Sequence, residues 1–373
     1  MYAVRDMRVI RWAALIAGLV LSVPWGEELI LRAVRLVAAA GLLTYGLMPW
    51  VIRLAHRFGA MDYPDASRRV HRQPTPRIGG VAVLVSTNLT LLLNFDFSLG
   101  LKGVCLSALI VATLSFWDDV RELSAFIKLI GQLLAVLVLI RFGVHIDFAP
   151  DVWWGDWLEY LLTALWVVGI TNAYNFMDGI NGLAASLAAT VCLLMGLLAW
   201  YTGQYYMLLI CLPMCGAAVG FLPDNGRYRG PARVFLGDVG STYIGWMMAS
   251  VAVLGDWSDE GAIKAYSAPL LIFSVMIFDM IYTTVARIYR GDVNSFREWI
   301  AYVGRDHLHH RLMNLGLTQF QTVLVVVAIS AIMGTAALTI VESSMFGVAL
   351  LLFQAIFTYA MLSFLMIHSR KLE

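Results

Sequence analysis

Long apolar runs alternate with short polar connections along the chain, a pattern that predicts an all-α protein threaded repeatedly through a membrane. The runs fall near 9–25, 33–55, 79–95, 101–117, 125–143, 157–174, 183–201, 206–222, 235–254, 267–289, 320–340 and 345–367. Most reach the roughly 17–25 residues a helix needs to cross a ~30 Å hydrocarbon layer. About 11–12 transmembrane helices are therefore expected, the count turning on the first run. Arg5, Arg8 and Arg11 lead into it as they would into a secretory signal. Ser22-Val23-Pro24-Trp25-Gly26-Glu27-Glu28 then offers no small-x-small cleavage site, so a retained first helix is expected.

Composition sharpens this reading. Of 373 residues, 60% are apolar and 14% charged, with a mean hydropathy of +0.76; a soluble domain holds about 45–50% and about 25%. The net charge of +1 says nothing about partners in total, but no basic patch reads as a nucleic-acid groove, so no nucleic-acid partner is expected. Cys105, Cys192, Cys211 and Cys215 all lie inside apolar runs, without zinc spacing or a disulfide framework, and read as packing residues. No internal repeat or low-complexity tract is present, so residues 1–373 are expected to form one integral membrane domain.

Orientation follows from arginine and lysine in the connections. Arg57, Arg68, Arg69, Arg72, Arg77, Arg121, Arg227, Arg229, Arg233, Arg290, Arg297, Arg305, Arg311, Arg370 and Lys371 fall on one side; the other holds little beyond Arg32 and Lys264. The arginine-rich side is expected to face the cytosol. It also carries nearly every polar cluster, which predicts a single cytosolic active face.

Five clusters carry candidate chemistry. Asp118 and Asp119, at the inner end of the fourth run, repel each other unless a cation compensates, as Mg²⁺ held by one or two carboxylates and substrate phosphates would; a solvated acidic loop is the plainer alternative. Lys128, just inside the fifth run, either snorkels to headgroups or meets an anion. The stretch Thr171–Gly182 sets Asn172, Asn175, Asp178 and Asn181 between long apolar runs, where unpaired polar groups cost several kcal/mol; a capped interhelical turn would explain its glycines only. Gly237-Asp238-Val239-Gly240-Ser241 opens the ninth run, offering backbone N–H groups to a phosphate, with Asp238 either capping the helix or holding a metal. Arg305-Asp306-His307-Leu308-His309-His310-Arg311 concentrates donors for phosphate oxygens, with a zinc site or a solvated basic loop as alternatives. The basic residues of the stretch 63–80 suit a diphosphate or anionic headgroups, and the positive-inside rule alone would also explain them. Asp279, alone within the tenth run, is expected to face a polar interior, with no partner evident from spacing.

Together these stretches resemble the polyprenyl-phosphate N-acetylhexosamine-1-phosphate transferases (WecA type), a superfamily that includes the muramoyl-pentapeptide and dolichyl enzymes. The resemblance spans roughly 57–317 and rests on five ordered blocks: Pro74-Thr75-Pro76-Arg77-Ile78-Gly79-Gly80, Asp118-Asp119, Asn175-Phe176-Met177-Asp178-Gly179-Ile180-Asn181-Gly182, Phe235-Leu236-Gly237-Asp238 and His307-Leu308-His309-His310. Position by position it implies Asp238 and Asn175 as metal ligands, with the catalytic Asp118 and Asp119 beside the metal and Asp178 as an essential acid. It implies Phe235 stacking on uracil, Asn181 contacting the nucleoside, and His307, His309 and His310 near the phosphates. With Lys128, Arg305 and Arg311 added as phosphate partners, this is the expected substrate-binding set.

The implied activity transfers a sugar-1-phosphate from a UDP-N-acetylhexosamine to undecaprenyl (polyprenyl) phosphate, with Mg²⁺ or its substitute Mn²⁺. It would work at the cytosolic face of the bacterial inner membrane and start a lipid-linked cell-surface glycan; a homodimer is compatible with it. Two departures bear on the sugar: Asn181 stands where the commoner pattern has Asp, and the loop from Asn225 to Arg233 is slightly longer. The Pro-Arg-Ile-Gly-Gly and His-Leu-His-His forms resemble the N-acetylglucosamine branch more than the muramoyl-pentapeptide branch. The Met-Asp-Gly-Ile-Asn-Gly form also resembles enzymes that take 6-deoxy N-acetylhexosamines. The rival reading, a secondary transporter, requires carboxylates near the midplane on broken helices; only Asp279 is so placed.

Overall fold

A computed structural model describes residues 2–24, 28–63, 74–150, 152–227, 230–258, 260–302 and 304–368. The basic residues Arg68, Arg69, His71, Arg72, Arg229, Arg370 and Lys371 lie outside the described residues. Helices occupy all twelve apolar runs: α1 (Tyr2–Ser22), α2 (Leu29–Phe58), α3 (Gly80–Asn94), α4 (Leu99–Val120), α5 (Ala125–Arg141), α6 (Trp153–Phe176), α7 (Leu183–Tyr201), α8 (Tyr205–Asn225), α9 (Gly237–Leu254), α10 (Ala262–Ile272), α11 (Ser274–Arg290), α14 (Gln319–Ile340) and α15 (Met345–His368). Six of them, α2, α4, α7, α8, α14 and α15, are by themselves long and apolar enough to cross a membrane. The protein is an all-α, multi-pass membrane protein.

The helix α9 is the centre of the bundle. Every residue from Val239 to Ala252 is buried, as expected of a helix that is apolar all round, and it packs against α4, α6 and α3. Small residues let backbones meet: a Cβ added to Gly80 would come 2.0 Å from the Cα of Gly240, so α3 and α9 touch main chain to main chain. Polar pairs bind the same helix laterally. Trp246 donates to Ser107 at 2.8 Å, Asn88 to the Tyr243 hydroxyl at 2.7 Å, and Thr242 to Ser115 at 2.8 Å. Outward-facing side chains such as Leu92, Leu137, Leu165, Ile281 and Ile356 are large, apolar and exposed, a surface suited to lipid rather than water. Trp153, Trp157, Trp200 and Tyr205 are exposed at the end opposite the arginine-rich connections, as in an interfacial aromatic belt.

The N-terminal helix belongs to the bundle. Arg11 is buried, donates to Asp224 of α8 at 2.7 Å, and lies 3.7 Å over the Tyr45 ring.

The tenth run departs from expectation. It is not one span but the pair α10 and α11, bent by 76° at Phe273. Pro269 lies within α10, and the Ser274 hydroxyl bonds back to the Leu271 carbonyl at 2.6 Å, competing with the helical ladder. Past the bend, Asp279, Thr283 and Arg287 form a buried polar stripe along α11, while Ile281, Val285 and Ile288 face outward. The long connection that follows carries α12 (Phe296–Ala301) and α13 (Leu308–Asn314). The remaining addition is a two-residue antiparallel pair, β1 (Met61–Asp62) with β2 (Thr75–Pro76).

Orientation is open to direct measurement. Native cysteines are all buried, so thiol labelling has a low background. Cysteine introduced at the exposed Asn314, before α14, is expected to react with a membrane-impermeant maleimide only after cells are opened. Cysteine at Ser344, exposed beyond α14, should react in intact spheroplasts. Labelling in the reverse pattern would invert the topology.

Candidate active site

The arginine-rich end of the bundle gathers the helix termini that carry the polar clusters. The segment around Arg77 pairs with the start of α9 like a short ladder: Phe235 N–H donates to the Pro76 carbonyl at 2.8 Å, Gly79 N–H to Phe235 at 2.9 Å and Gly80 N–H to Leu236 at 2.8 Å. Gly237 sits at φ 74°, where a Cβ would strike the Arg77 carbonyl oxygen. Two sequence blocks far apart in the chain thus form one scaffold that presents Phe235 and Asp238.

The neighbouring aspartates do different work. Asp119 accepts from the backbone N–H groups of Asp238 at 3.2 Å and Val239 at 2.9 Å and lies 3.3 Å from the Arg77 guanidinium. The expectation that the α9 N-terminus would cradle a substrate phosphate needs correction: Asp119 already occupies it as a capping anion. Asp118 accepts from Leu123 N–H at 2.6 Å and from Lys128 at 2.9 Å, and the same ammonium reaches Asp238 at 3.1 Å. Lys128 therefore meets anions rather than snorkelling. Asn175 donates to Asp238 at 3.2 Å and to Ser241 at 2.7 Å, which leaves its carboxamide oxygen as the atom to offer a cation. Asp178, in the turn after α6, has its carboxyl pushed well above the usual carboxylate range by desolvation, and further by the charges of Asp238 and Asp119.

A cavity of about 620 Å³ opens over these groups, within the range that takes a drug-sized ligand. Its wall includes Arg77, Asp119, Asp178, Asn181, Phe235, Asp238, Arg305 and His310. A second, much smaller space of about 20 Å³ lies behind Asp238, lined by Lys128, Gln132, Asn172, Asn175 and Thr242. Gln132 and Asn172 exchange amide hydrogen bonds there at 3.3 and 2.8 Å. Asp238 belongs to both walls.

The histidine cluster divides. Only His310 and Arg305 line the cavity. His307 is held by Asp279 at 2.7 Å, stacks on Phe176 at 4.7 Å and faces Arg287, so Asp279 finds its partner 28 residues along the chain and also accepts from Leu308 N–H at 2.5 Å. His309 is buried beneath Gly179, with neither ring nitrogen hydrogen-bonded among the described residues, and burial pushes its imidazole well below the usual range, with His310 and His307 adding to the shift. Arg311 turns inward as well, bonding to the Asp306 carbonyl at 2.5 Å and packing over Tyr282. Burial opposes ionisation of Asp306, yet bonds from Arg287 and Arg290 outweigh it and hold that carboxyl at about 2. His307, His309 and Arg311 therefore form the wall behind the cavity rather than its lining. Their reach to phosphates is indirect in this geometry.

A sequence model of glycosyl transferase family 4 matches residues 101–256. The chain is 31% identical over 318 residues to a probable undecaprenyl-phosphate N-acetylglucosaminyl 1-phosphate transferase of Bacillus subtilis, covering 83% of this chain and 86% of that one. It is 34% identical over 333 residues to the decaprenyl-phosphate N-acetylglucosaminephosphotransferase of Mycolicibacterium smegmatis, covering 81% and 80%. The chain belongs to the polyprenyl-phosphate N-acetylhexosamine-1-phosphate transferase family. A phospho-N-acetylmuramoyl-pentapeptide-transferase of Lactiplantibacillus plantarum is 28% identical over 252 residues, covering 62% of this chain and 75% of that one.

Sequence reasoning left Arg77, Asn225, Asp279 and Arg287 out of the site. Arg77 stood within a recognised block. Asp279 stood out as a lone carboxylate in an apolar run but without a partner, and the roles of Asn225 and Arg287 appear only through the contacts of the folded chain. The Asp279 contact generates a prediction. In Asp279→Asn the amide can still accept one hydrogen bond, but its NH₂ replaces the acceptor for the other. Leaving a buried donor unmatched costs about 1–3 kcal/mol, so the thermal midpoint of the purified protein in detergent should fall by several degrees. An unchanged midpoint would detach Asp279 from the α13 anchor.

Proposed function

We propose that the protein transfers N-acetylglucosamine-1-phosphate from its UDP-sugar to undecaprenyl phosphate, releasing UMP, at the cytosolic face of the bacterial inner membrane. The observation that carries this reading is the position of Asp238. It stands between a cavity of nucleotide-sugar size with charged and aromatic walls on one side and, on the other, a small space among α4, α5 and α6 lined by Lys128 together with apolar side chains. A water-soluble donor and a lipid acceptor must meet across such a boundary.

The donor set suits Mg²⁺. Its oxygens are hard ligands, and Mg²⁺ is commonly held by one or two carboxylates together with substrate phosphates. No three His, Cys, Asp or Glu side chains converge on one point among the described residues, so a site completed by substrate fits better than an all-protein cage. Asp238 and the Asn175 oxygen would hold the ion, with Asp118 beside it; the ion would neutralise charge on the diphosphate. Arg305 and His310 would bind the remaining diphosphate oxygens, and Phe235 and Asn181 the nucleoside. Lys128, on the acceptor side, would steady the lipid phosphate.

Phosphoryl transfer asks mainly for positioning and charge neutralisation. The second pKa of a phosphate monoester is near ~6, so the acceptor is largely dianionic at neutral pH. Its oxygen forms the new bond to the sugar-linked phosphorus while the bond to the UMP oxygen breaks, without a covalent enzyme intermediate.

One experiment with several arms tests this. Purified enzyme given Mg²⁺, undecaprenyl phosphate and a panel of labelled UDP-sugars should transfer N-acetylglucosamine-1-phosphate or a 6-deoxy relative, and reject UDP-muramoyl-pentapeptide. EDTA should abolish turnover, and Mg²⁺ or Mn²⁺ should restore it. Without lipid, labelled UMP should not enter the UDP-sugar pool. Turnover of the pentapeptide substrate would reassign the sugar, full activity in EDTA would remove the metal, and lipid-independent exchange at the turnover rate would reveal a covalent intermediate.

A further inference from the structure

Asn225, the last residue of α8, is 3% exposed and makes two hydrogen bonds with one carboxamide. Its Oδ1 accepts from the Gly182 N–H at 2.7 Å, and its Nδ2 donates to the Val234 carbonyl at 3.0 Å. The two groups belong to different loops. Gly182 follows Asn181, and Val234 precedes Phe235; both Asn181 and Phe235 line the cavity. The approach is close: Gly182 sits at φ 81°, and a Cβ there would come 2.9 Å from the Gly226 Cα. A donor and an acceptor on one short planar group are needed to serve both partners, which Asn supplies and Asp does not.

The strut is itself anchored. Asp224, the preceding residue, accepts from the buried Arg11 of α1 at 2.7 Å and lies 3.5 Å from Arg233; its carbonyl takes the Arg233 N–H at 2.8 Å. Asn225 thus extends from a fixed helix end toward both loops and bonds the backbone of each.

We propose that Asn225 is a positioning residue that sets the separation of Asn181 and Phe235 and thereby the affinity of the cavity for the donor nucleotide. The proposal rests on the uridine-nucleotide reading of that cavity. Asn225 lines the cavity beside Asn181 and Phe235 and holds the backbone next to each, whereas Asp118 and Lys128 are not part of that cavity's wall.

The test uses full-length protein in detergent. Asn225→Asp keeps the acceptor for Gly182 but sets a carboxylate oxygen against the Val234 carbonyl; Asn225→Ala removes both bonds without adding charge. UMP binding is measured by calorimetry with Mg²⁺ present, alongside steady-state kinetics with both substrates and thermal unfolding. The UMP Kd and the KM for UDP-N-acetylglucosamine are expected to rise at least tenfold in the Asp variant and severalfold in the Ala variant. The KM for undecaprenyl phosphate should stay within about twofold. Unchanged UMP affinity in a folded variant, or equal shifts in both KM values, overturns the proposal. Loss of folded protein in both variants makes Asn225 a folding residue and overturns it too. A wild-type protein that binds no UMP would instead bring down the nucleotide reading on which the proposal rests.

Discussion

Like-charge repulsion is the constraint around which this end of the molecule is arranged. Asp118, Asp119, Asp178 and Asp238 gather at the mouth of a helix bundle, with Arg77 and Lys128 as the cations in direct contact with them. Two unit charges about 4 Å apart at an effective dielectric near 20 repel by about 4 kcal/mol. The protein spreads that load unequally. Asp119 is satisfied by two backbone N–H groups and Arg77, Asp118 by a backbone N–H and Lys128. Asp178 meets the same constraint by resisting ionisation. Asp238 relies on the same ammonium that serves Asp118, and with it on Asn175. It is also the one of the four that lines both spaces.

The rest of the fold keeps this arrangement rigid. The buried helix α9 carries Asp238 on its first turn, and the ladder from Pro76 to Gly80 fixes the residues just before it. Such backing costs little at the moment of reaction because the dipoles are already aimed. The bent pair α10 and α11 contributes differently, sending a polar stripe of Asp279, Thr283 and Arg287 to hold the histidine connection against the site. The first device lines the cavity through Arg77, Phe235 and Asp238, and the second stands behind it, holding the connection that carries Arg305 and His310.

Much of this was legible in the residues. Every apolar run became helix because a span that must satisfy its own backbone in lipid has few other choices. The acidic and glycine-rich blocks assembled at one end, as their placement on the arginine-rich side implied. Spacing could not tell Asp118 from Asp119, since adjacent residues on a helix end point in different directions and only the fold reveals that one faces the α9 N-terminus. The histidines misled for a related reason. Proximity in sequence suggested a common task, whereas His307 and His309 turn into the protein and His310 lines the cavity. The break at Phe273 was hidden within an apolar run whose hydropathy is blind to Ser274. Asn225 gave no signal, because its partners are backbone atoms, which residue types do not reveal.

The central claim is that the carboxylate cluster is completed by one divalent ion held at Asp238. Mn²⁺ bound to the purified protein, followed by electron paramagnetic resonance with UDP present, tests this without depending on turnover. The account predicts one Mn²⁺ per chain, displaced by Mg²⁺ and weakened at least tenfold in Asp238→Asn protein that remains folded. Undiminished binding in Asp238→Asn, or no binding to the wild-type protein, would contradict it.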